Sequence, residues 1–288
     1  MLRSPVKVLD DADVRAVVDL CEQDPVANVF VSSRVAAVGC DARKLGGELW
    51  GYWRRGRLAS ACWAGANLVP VEADDVSLDA FAAKARRQGR RCSSMVGPAD
   101  AVLGLWERLV PAWGPAREVR PDQPLMAVTG APLVTPDPAV RRTTRDDLDV
   151  LYPACVAMFT EEVGYSPETG DGGTTYRRRV TELVDLGRSF ARVEQLDGRP
   201  QVVFKAELGA VAPGVVQVQG VWVHPALRGR GMAAPGMAAV VAQTRRRFTW
   251  PGRDTAVSLY VNAYNHRAVA AYERVGFRRV GTFATVLF

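Results

Sequence analysis

Apolar side chains recur along this chain with two different periods, and the switches between them mark out its elements. VKVL near the start has the alternation of a strand, whereas ADVRAVVDLCEQ and VANVFVSSRVAAV return apolar residues every three or four positions, as helices do. ELWGYWRRG and RLASACWAGANLVPV read as two strands joined by a tight turn at Arg55-Gly56-Arg57. A helix over LDAFAAKARRQ, a strand over CSSMVG and an amphipathic helix over ADAVLGLWERLV follow. The proline-rich stretch Pro121 to Val140 breaks helical periodicity, so the boundary between two halves, 1–135 and 136–288, is placed near its end. The pattern then restarts with VRRTT as a strand and RDDLDVLYPACVAMF as a helix. SFARVEQL and PQVVFKAELGAV flank an Asp197-Gly198 hairpin turn, and GVVQVQGVWV forms a third strand after Pro213-Gly214. DDADV at Asp10 to Val14 returns as DDLDV at Asp146 to Val150, an echo that suits either duplication or the general preference for aspartate at helix starts.

Composition changes this picture little. The 288 residues are 48% hydrophobic and 24% charged, ordinary for globular domains. No apolar run approaches the roughly 18 residues of a spanning helix, and the charged start does not resemble a secretory leader, so a cytoplasmic protein without membrane partners is expected. Five scattered cysteines (Cys21, Cys40, Cys62, Cys92, Cys155) offer neither a disulfide framework nor a C-x-x-C pair, and no metal is expected. The charge of +6 favours anionic ligands. The basic runs Arg177-Arg178-Arg179 and Arg245-Arg246-Arg247 fall in expected helices and lack aromatic interleaving, so no nucleic-acid partner is expected.

The chemistry concentrates in HPALRGRGMAAPGM, His224 to Met237, between the third strand of the second half and the apolar helix MAAVVAQTRRRF. Glycines let backbone N–H groups approach an anion at a helix start, where the helix dipole adds attraction. Standing alone, R-G-x-G also suits an ordinary turn with solvated arginines. A Walker loop fails for want of Gly-Lys-Ser/Thr. A dinucleotide fingerprint finds Gly229, Gly231 and Ala234, but five residues separate strand from glycine and no acidic residue ends the next strand.

VWVHPALRGRGMA, Val221 to Ala233, resembles the coenzyme A pyrophosphate loop of the GCN5-related N-acetyltransferases (GNAT), with Arg228, Gly229, Gly231 and Ala233 in the signature and Val221, Val223 and Pro225 matching the end of the family's fourth strand. VSLYVNAYNHRAVAAYERVGF resembles the fifth strand and the helix after it, with Asn265, Ala268, Tyr272, Gly276 and Phe277 in register. The resemblance covers roughly Val140 to Phe288. The first half resembles the domain of unknown function (DUF4081-like) that precedes an acetyltransferase domain in some actinobacterial proteins. The implied fold class is α/β with a mixed sheet: tandem GNAT-like domains, the N-terminal one degenerate, since no R-G-x-G loop occurs there.

The resemblance implies acetyl-CoA as co-substrate, held by Val221, Trp222, Val223, Arg228, Gly229, Arg230, Gly231, Met232, Ala233, Asn262, Asn265, Ala268 and Tyr272. It implies direct transfer to a primary amine of a small molecule or peptide, in a ternary complex. The backbone N–H near Val223 would stabilise the oxyanion and Tyr272 would protonate the leaving thiolate. Gln217 stands where the family often has a glutamate base. Glu207, Glu161 or Glu162 in the loop after the first helix of the second half, the carboxylate of Phe288, or water remain as replacements, and a silent coenzyme A sensor remains the alternative. Loop 161–175 and the cleft between the halves are expected to read the acceptor. A monomer or homodimer is expected. Only one strand, FRRVGTFATVLF, follows the Tyr272 helix where the family commonly ends in two, so the N-terminal half is expected to fill the vacant sheet edge.

Overall fold

The computed structural model describes residues 6–288; the five residues before them, at the charged start, lie outside it. The first half runs β1 (Val6–Val8), α1 (Val14–Cys21), α2 (Val29–Val38), α3 (Ala42–Leu45), β2 (Glu48–Arg54), β3 (Arg57–Ala64), β4 (Asn67–Val71), α4 (Asp75–Gln88), β5 (Ser94–Pro98), α5 (Ala99–Trp113) and β6 (Glu118–Val128). The second runs β7 (Arg141–Arg142), α6 (Leu148–Val163), α7 (Thr174–Asp185), β8 (Ser189–Leu196), β9 (Arg199–Ala212), β10 (Val215–Val223), α8 (Ala233–Arg247), β11 (Ala256–Tyr260), α9 (His266–Val275) and β12 (Arg278–Leu287). Apart from the one-turn α3, the two orders are the same.

All twelve strands form one mixed sheet in the order β1-β2-β3-β4-β5-β12-β6-β11-β10-β9-β8-β7. The last strand of each half lies between the last two strands of the other. β12 is antiparallel to both β5 and β6, and β6 to both β12 and β11. The N-terminal half therefore supplies the neighbour that the second half lacks, by interleaving rather than by docking on an edge. Each half covers its strands with one helix pair per face. α4 and α5 bury Leu78, Phe81, Val102 and Leu105 on one side of the first half, and α1 and α2 bury Val17, Leu20 and Val31 on the other. In the second half α8 and α9 cover one face and α6 and α7 the other. α2 also crosses between halves, packing Val29 against Ala210, Ala212, Val215 and Ala256.

Several expectations need correction. RLASACWAGANLVPV is two strands, β3 and β4, split at Gly65-Ala66. Pro121 to Val140 is not connector throughout, because β6 runs through Pro121 and Pro124 to Val128. A central strand tolerates them for local reasons. The pairing with β12 shifts register between Gln123 and Arg120, which leaves Pro121 at the irregularity, and β11 pairs β6 only from Leu125 onward. The literal DDADV and DDLDV echo is out of register by two residues. The equivalent positions are the capping boxes Asp10 with Asp13 and Thr144 with Asp147, whose acids also bind Lys7 on β1 (3.2 Å) and Arg141 on β7 (2.7 Å).

Candidate functional site

β10 and β11 are parallel and pair only through Val215, Val216 and Gln217, opposite Ala256, Val257 and Ser258; beyond that they part. The cause lies in β10. Its pairing with β9 shifts twice, between Gln217 and Val218 and between Gln219 and Trp222, around Gly220 at φ +59°. A Cβ at Gly220 would stand 3.2 Å from both the Glu207 carboxylate and Lys205 Nζ, so conformation and space both call for glycine. Past the bulge, Val221 and Val223 pack toward α8 and α9, and Trp222 packs toward α6. His224 N–H donates to Val203 O on β9 at 3.0 Å, while Val223 O accepts from Arg228 Nε at 3.0 Å. Successive residues of a strand aim their backbone groups at opposite edges, so the Val223 N–H faces the gap.

The glycine stretch closes the end of that gap. Pro225–Leu227 forms one 3₁₀ turn, capped by His224 Nδ1, which accepts from Ala226 N–H at 3.3 Å. Gly229 and Gly231 both adopt φ +79° with open space around them, so they are needed for their backbone conformation alone. α8 begins at Ala233 with no side-chain cap among the described residues, which leaves its first N–H groups to other partners. Pro235 lies in this first turn, where a missing N–H costs nothing. Arg230 is exposed and unpartnered among the described residues. The matching connection in the first half has no glycine. Asp74 caps α4 through Ser77 N–H at 3.0 Å and pairs with Arg54 at 2.7 Å. The Ser77 amide, then Arg54, hold its carboxyl down at about 2. An anion would meet a carboxylate there, as the expectation of a degenerate first half requires.

Tyr272 projects from α9 into the core beside Phe277 and is 7% exposed; burial first, then the Glu162 carboxylate, pushes its phenol well above the ordinary value. Asn265 caps α9, its Oδ1 accepting from Ala268 N–H at 3.2 Å, and Gly276 ends the helix in the left-handed region. The roles seen for Asn265 and Ala268 are thus those of a helix cap. Asn262, expected at the coenzyme, also forms a buried joint: its Oδ1 accepts from Gln123 Nε2 of β6 at 2.8 Å, and Gln123 Oε1 accepts from Thr285 Oγ1 of β12 at 2.6 Å.

The candidate bases separate clearly. Glu207 is buried and bound to fully buried Lys205 at 2.6 Å; burial alone would lower the lysine's pKa, but the carboxylate outweighs it and the net shift is upward. Phe288 packs its ring against Trp106 and Trp113 in the core of the first half. Glu161 and Glu162 belong to the last turn of α6, not to the loop after it. Glu161 binds Arg228 Nη2 at 2.6 Å and accepts from Trp222 Nε1 at 3.2 Å. Glu162 binds Arg120 of β6, whose Nη2 also donates to the Glu162 carbonyl at 2.8 Å. Adjacent glutamates thus tie one helix end to the glycine loop and to the strand lent by the other half. Sequence reasoning missed Arg120 and Gln123, since nothing local in a proline-rich stretch marks them as site neighbours. Gln217 is buried beside Ser258.

The basic runs do lie in helices. Arg247 donates to Leu186 O and Gly187 O at the end of α7, and Arg245 to Thr255 O. All five cysteines are buried and free, with burial pushing Cys21 and Cys155 up to about 12. No helix among the described residues is long and apolar enough to cross a membrane.

Comparison with known proteins places the fold. Residues 190–277 match the acetyltransferase (GNAT) family profile, and residues 47–151 match the domain of unknown function DUF4081, running past residue 135 into α6. No curated protein matches the chain. A GCN5-related N-acetyltransferase from Sphaerobacter thermophilus shares the fold at 18% identity, covering 98% of this chain and 95% of that one, with a TM-score of 0.58. A tandem GNAT protein from the clavulanic acid biosynthesis pathway does so at 14% identity, covering 98% of both chains, with a TM-score of 0.54. A Drosophila protein matches at 14% identity over 99% of both chains, with a TM-score of 0.62. The chain thus has a tandem GNAT-like α/β fold, with residues 190–277 similar to the GNAT acetyltransferase family and residues 47–151 similar to DUF4081.

Proposed function

We propose that the second half, from about residue 136, is an acetyl-CoA-dependent N-acetyltransferase acting on a primary amine. The observation that carries this reading is the parting of β10 and β11 directly before an uncapped, glycine-built helix start. The loop N–H groups with Arg228 and Arg230 suit a pyrophosphate, and the edge of Val221 to Val223 facing the gap suits the amide groups of a pantetheine arm. The amine nitrogen attacks the thioester carbonyl, the Val223 N–H stabilises the charge developing on its oxygen, and the C–S bond breaks. Tyr272, kept protonated by its buried setting, gives its proton to the sulfur. The amine's own proton leaves to water: Gln217 cannot accept it, Glu207 is committed to Lys205 and Glu162 to Arg120, and Glu161 is paired with Arg228.

Calorimetric titration with acetyl-CoA, with NADH as control, tests this on the intact protein and on Arg228→Glu. Binding of acetyl-CoA alone, weakened by the charge reversal, supports the reading, and the absence of binding refutes it. Binding without thioester consumption by any amine would favour a silent coenzyme A sensor, which the missing carboxylate at Gln217 motivates.

A further inference from the structure

Resting on the acetyl-CoA reading, we propose that Glu161 is the anchor for the acceptor's ammonium group and that Arg228 masks it until the pyrophosphate draws that arginine away. Arg228 makes two contacts here that are incompatible with full service to a phosphate. Its Nη2 holds Glu161 Oε2 at 2.6 Å, and its Nε holds Val223 O at 3.0 Å, on the same backbone edge that faces the gap. A cofactor that takes Arg228 therefore uncovers a strand edge and leaves one carboxylate without its cation. That carboxylate stays in place, because the Trp222 indole donates to its other oxygen at 3.2 Å.

The neighbourhood distinguishes Glu161 from the other acids. Glu162 keeps Arg120, Glu207 keeps Lys205 and Asp122 keeps Arg279 at 3.0 Å, none of which belongs to the glycine loop. Only the partner of Glu161 is a candidate phosphate ligand. Val257 and Leu259 point to the face covered by α8 and α9, so Ser258 and Tyr260 point to the face shared with α6. Ser258 lies at the last pair before the strands part, and its fully buried hydroxyl has no partner among the described residues. An acceptor with a cationic amine and a neighbouring hydrogen-bonding group fits this combination of carboxylate, hydroxyl and phenol.

The test has two arms on the full chain. In the first, acetyl-CoA is titrated into wild type, Glu161→Gln and the remote control Glu182→Gln. Glu161→Gln keeps an acceptor for Trp222 but removes the competing charge, and is expected to bind about two- to tenfold tighter, with the control unchanged. In the second, ligand-observed NMR follows n-butylamine and glucosamine, with n-butanol as the uncharged control, with and without saturating CoA. The amine signal is expected only with CoA and only with Glu161. Equal or weaker acetyl-CoA binding by Glu161→Gln, or amine binding indifferent to CoA or to Glu161, or none at all, overturns the proposal. Failure of wild type to bind acetyl-CoA instead refutes the reading beneath it, and the proposal with it.

Discussion

Gly220 shows how a single backbone position shapes the site. Alanine there would have to hold φ near +59° with its Cβ 3.2 Å from a buried ion pair, so Gly220→Ala is expected to lose about 1–3 kcal/mol of stability in urea unfolding. The ion pair behind it has its own consequence. Glu207→Gln leaves Lys205 buried without its carboxylate, with an expected loss of about 3 kcal/mol, which separates a structural role from that of a base. Tyr272→Phe keeps the packing against Phe277 and removes one proton donor. A fall in kcat of about 10²-fold or more at unchanged acetyl-CoA affinity is expected in a CoA-release assay. Residues whose work is local were legible in the sequence: the Gly229 and Gly231 turn follows from two glycines set between a strand pattern and an apolar helix. Glu161, Glu162, Arg120 and Gln123 were not legible as a group, because their partners come from different elements far apart in the chain.

Among the elements, the two helix starts after β4 and β10 make the sharpest contrast. α4 is closed by its own aspartate, whereas α8 has no side-chain cap, and only the second start leaves room for the anion that the proposed function puts there. The starts of α1 and α6 instead match each other. Arg141 and the cap bonds hold Asp147 down at about 2, below an ordinary carboxyl. A group with a depressed folded pKa stabilises fully above its unfolded value and loses that contribution as pH falls. Asp147→Asn is therefore expected to cost about 1–2 kcal/mol near neutral pH, with the difference from wild type shrinking between about pH 4 and pH 2. Chemical unfolding across that range would show it. The long helices and the hairpins at Arg55-Gly56 and Asp197-Gly198 were readable because each is set by the period and turn residues of its own segment, whereas the β3–β4 hairpin read as one strand. β6 was not, since two prolines argue against a central strand and only the bulge and the short reach of β11 make them tolerable.

At the scale of the molecule, the interleaved β6 and β12 make the two halves one object. Fragment 136–288 would place β11 and β12 side by side without the strand that belongs between them, and is expected to be unfolded or aggregated, whereas the full chain melts in a single calorimetric transition. A fragment folded by circular dichroism and monomeric by size-exclusion chromatography would contradict this. The same exchange also imposes a timetable on synthesis. When the ribosome has released residues 1–135, β5 and β6 lack the strand that joins them, because that strand, Arg278–Leu287, comes after every other strand of the second half. The first half must wait with an open seam in its sheet while the second half is made, so a chaperone that shields strand edges has a long opportunity here.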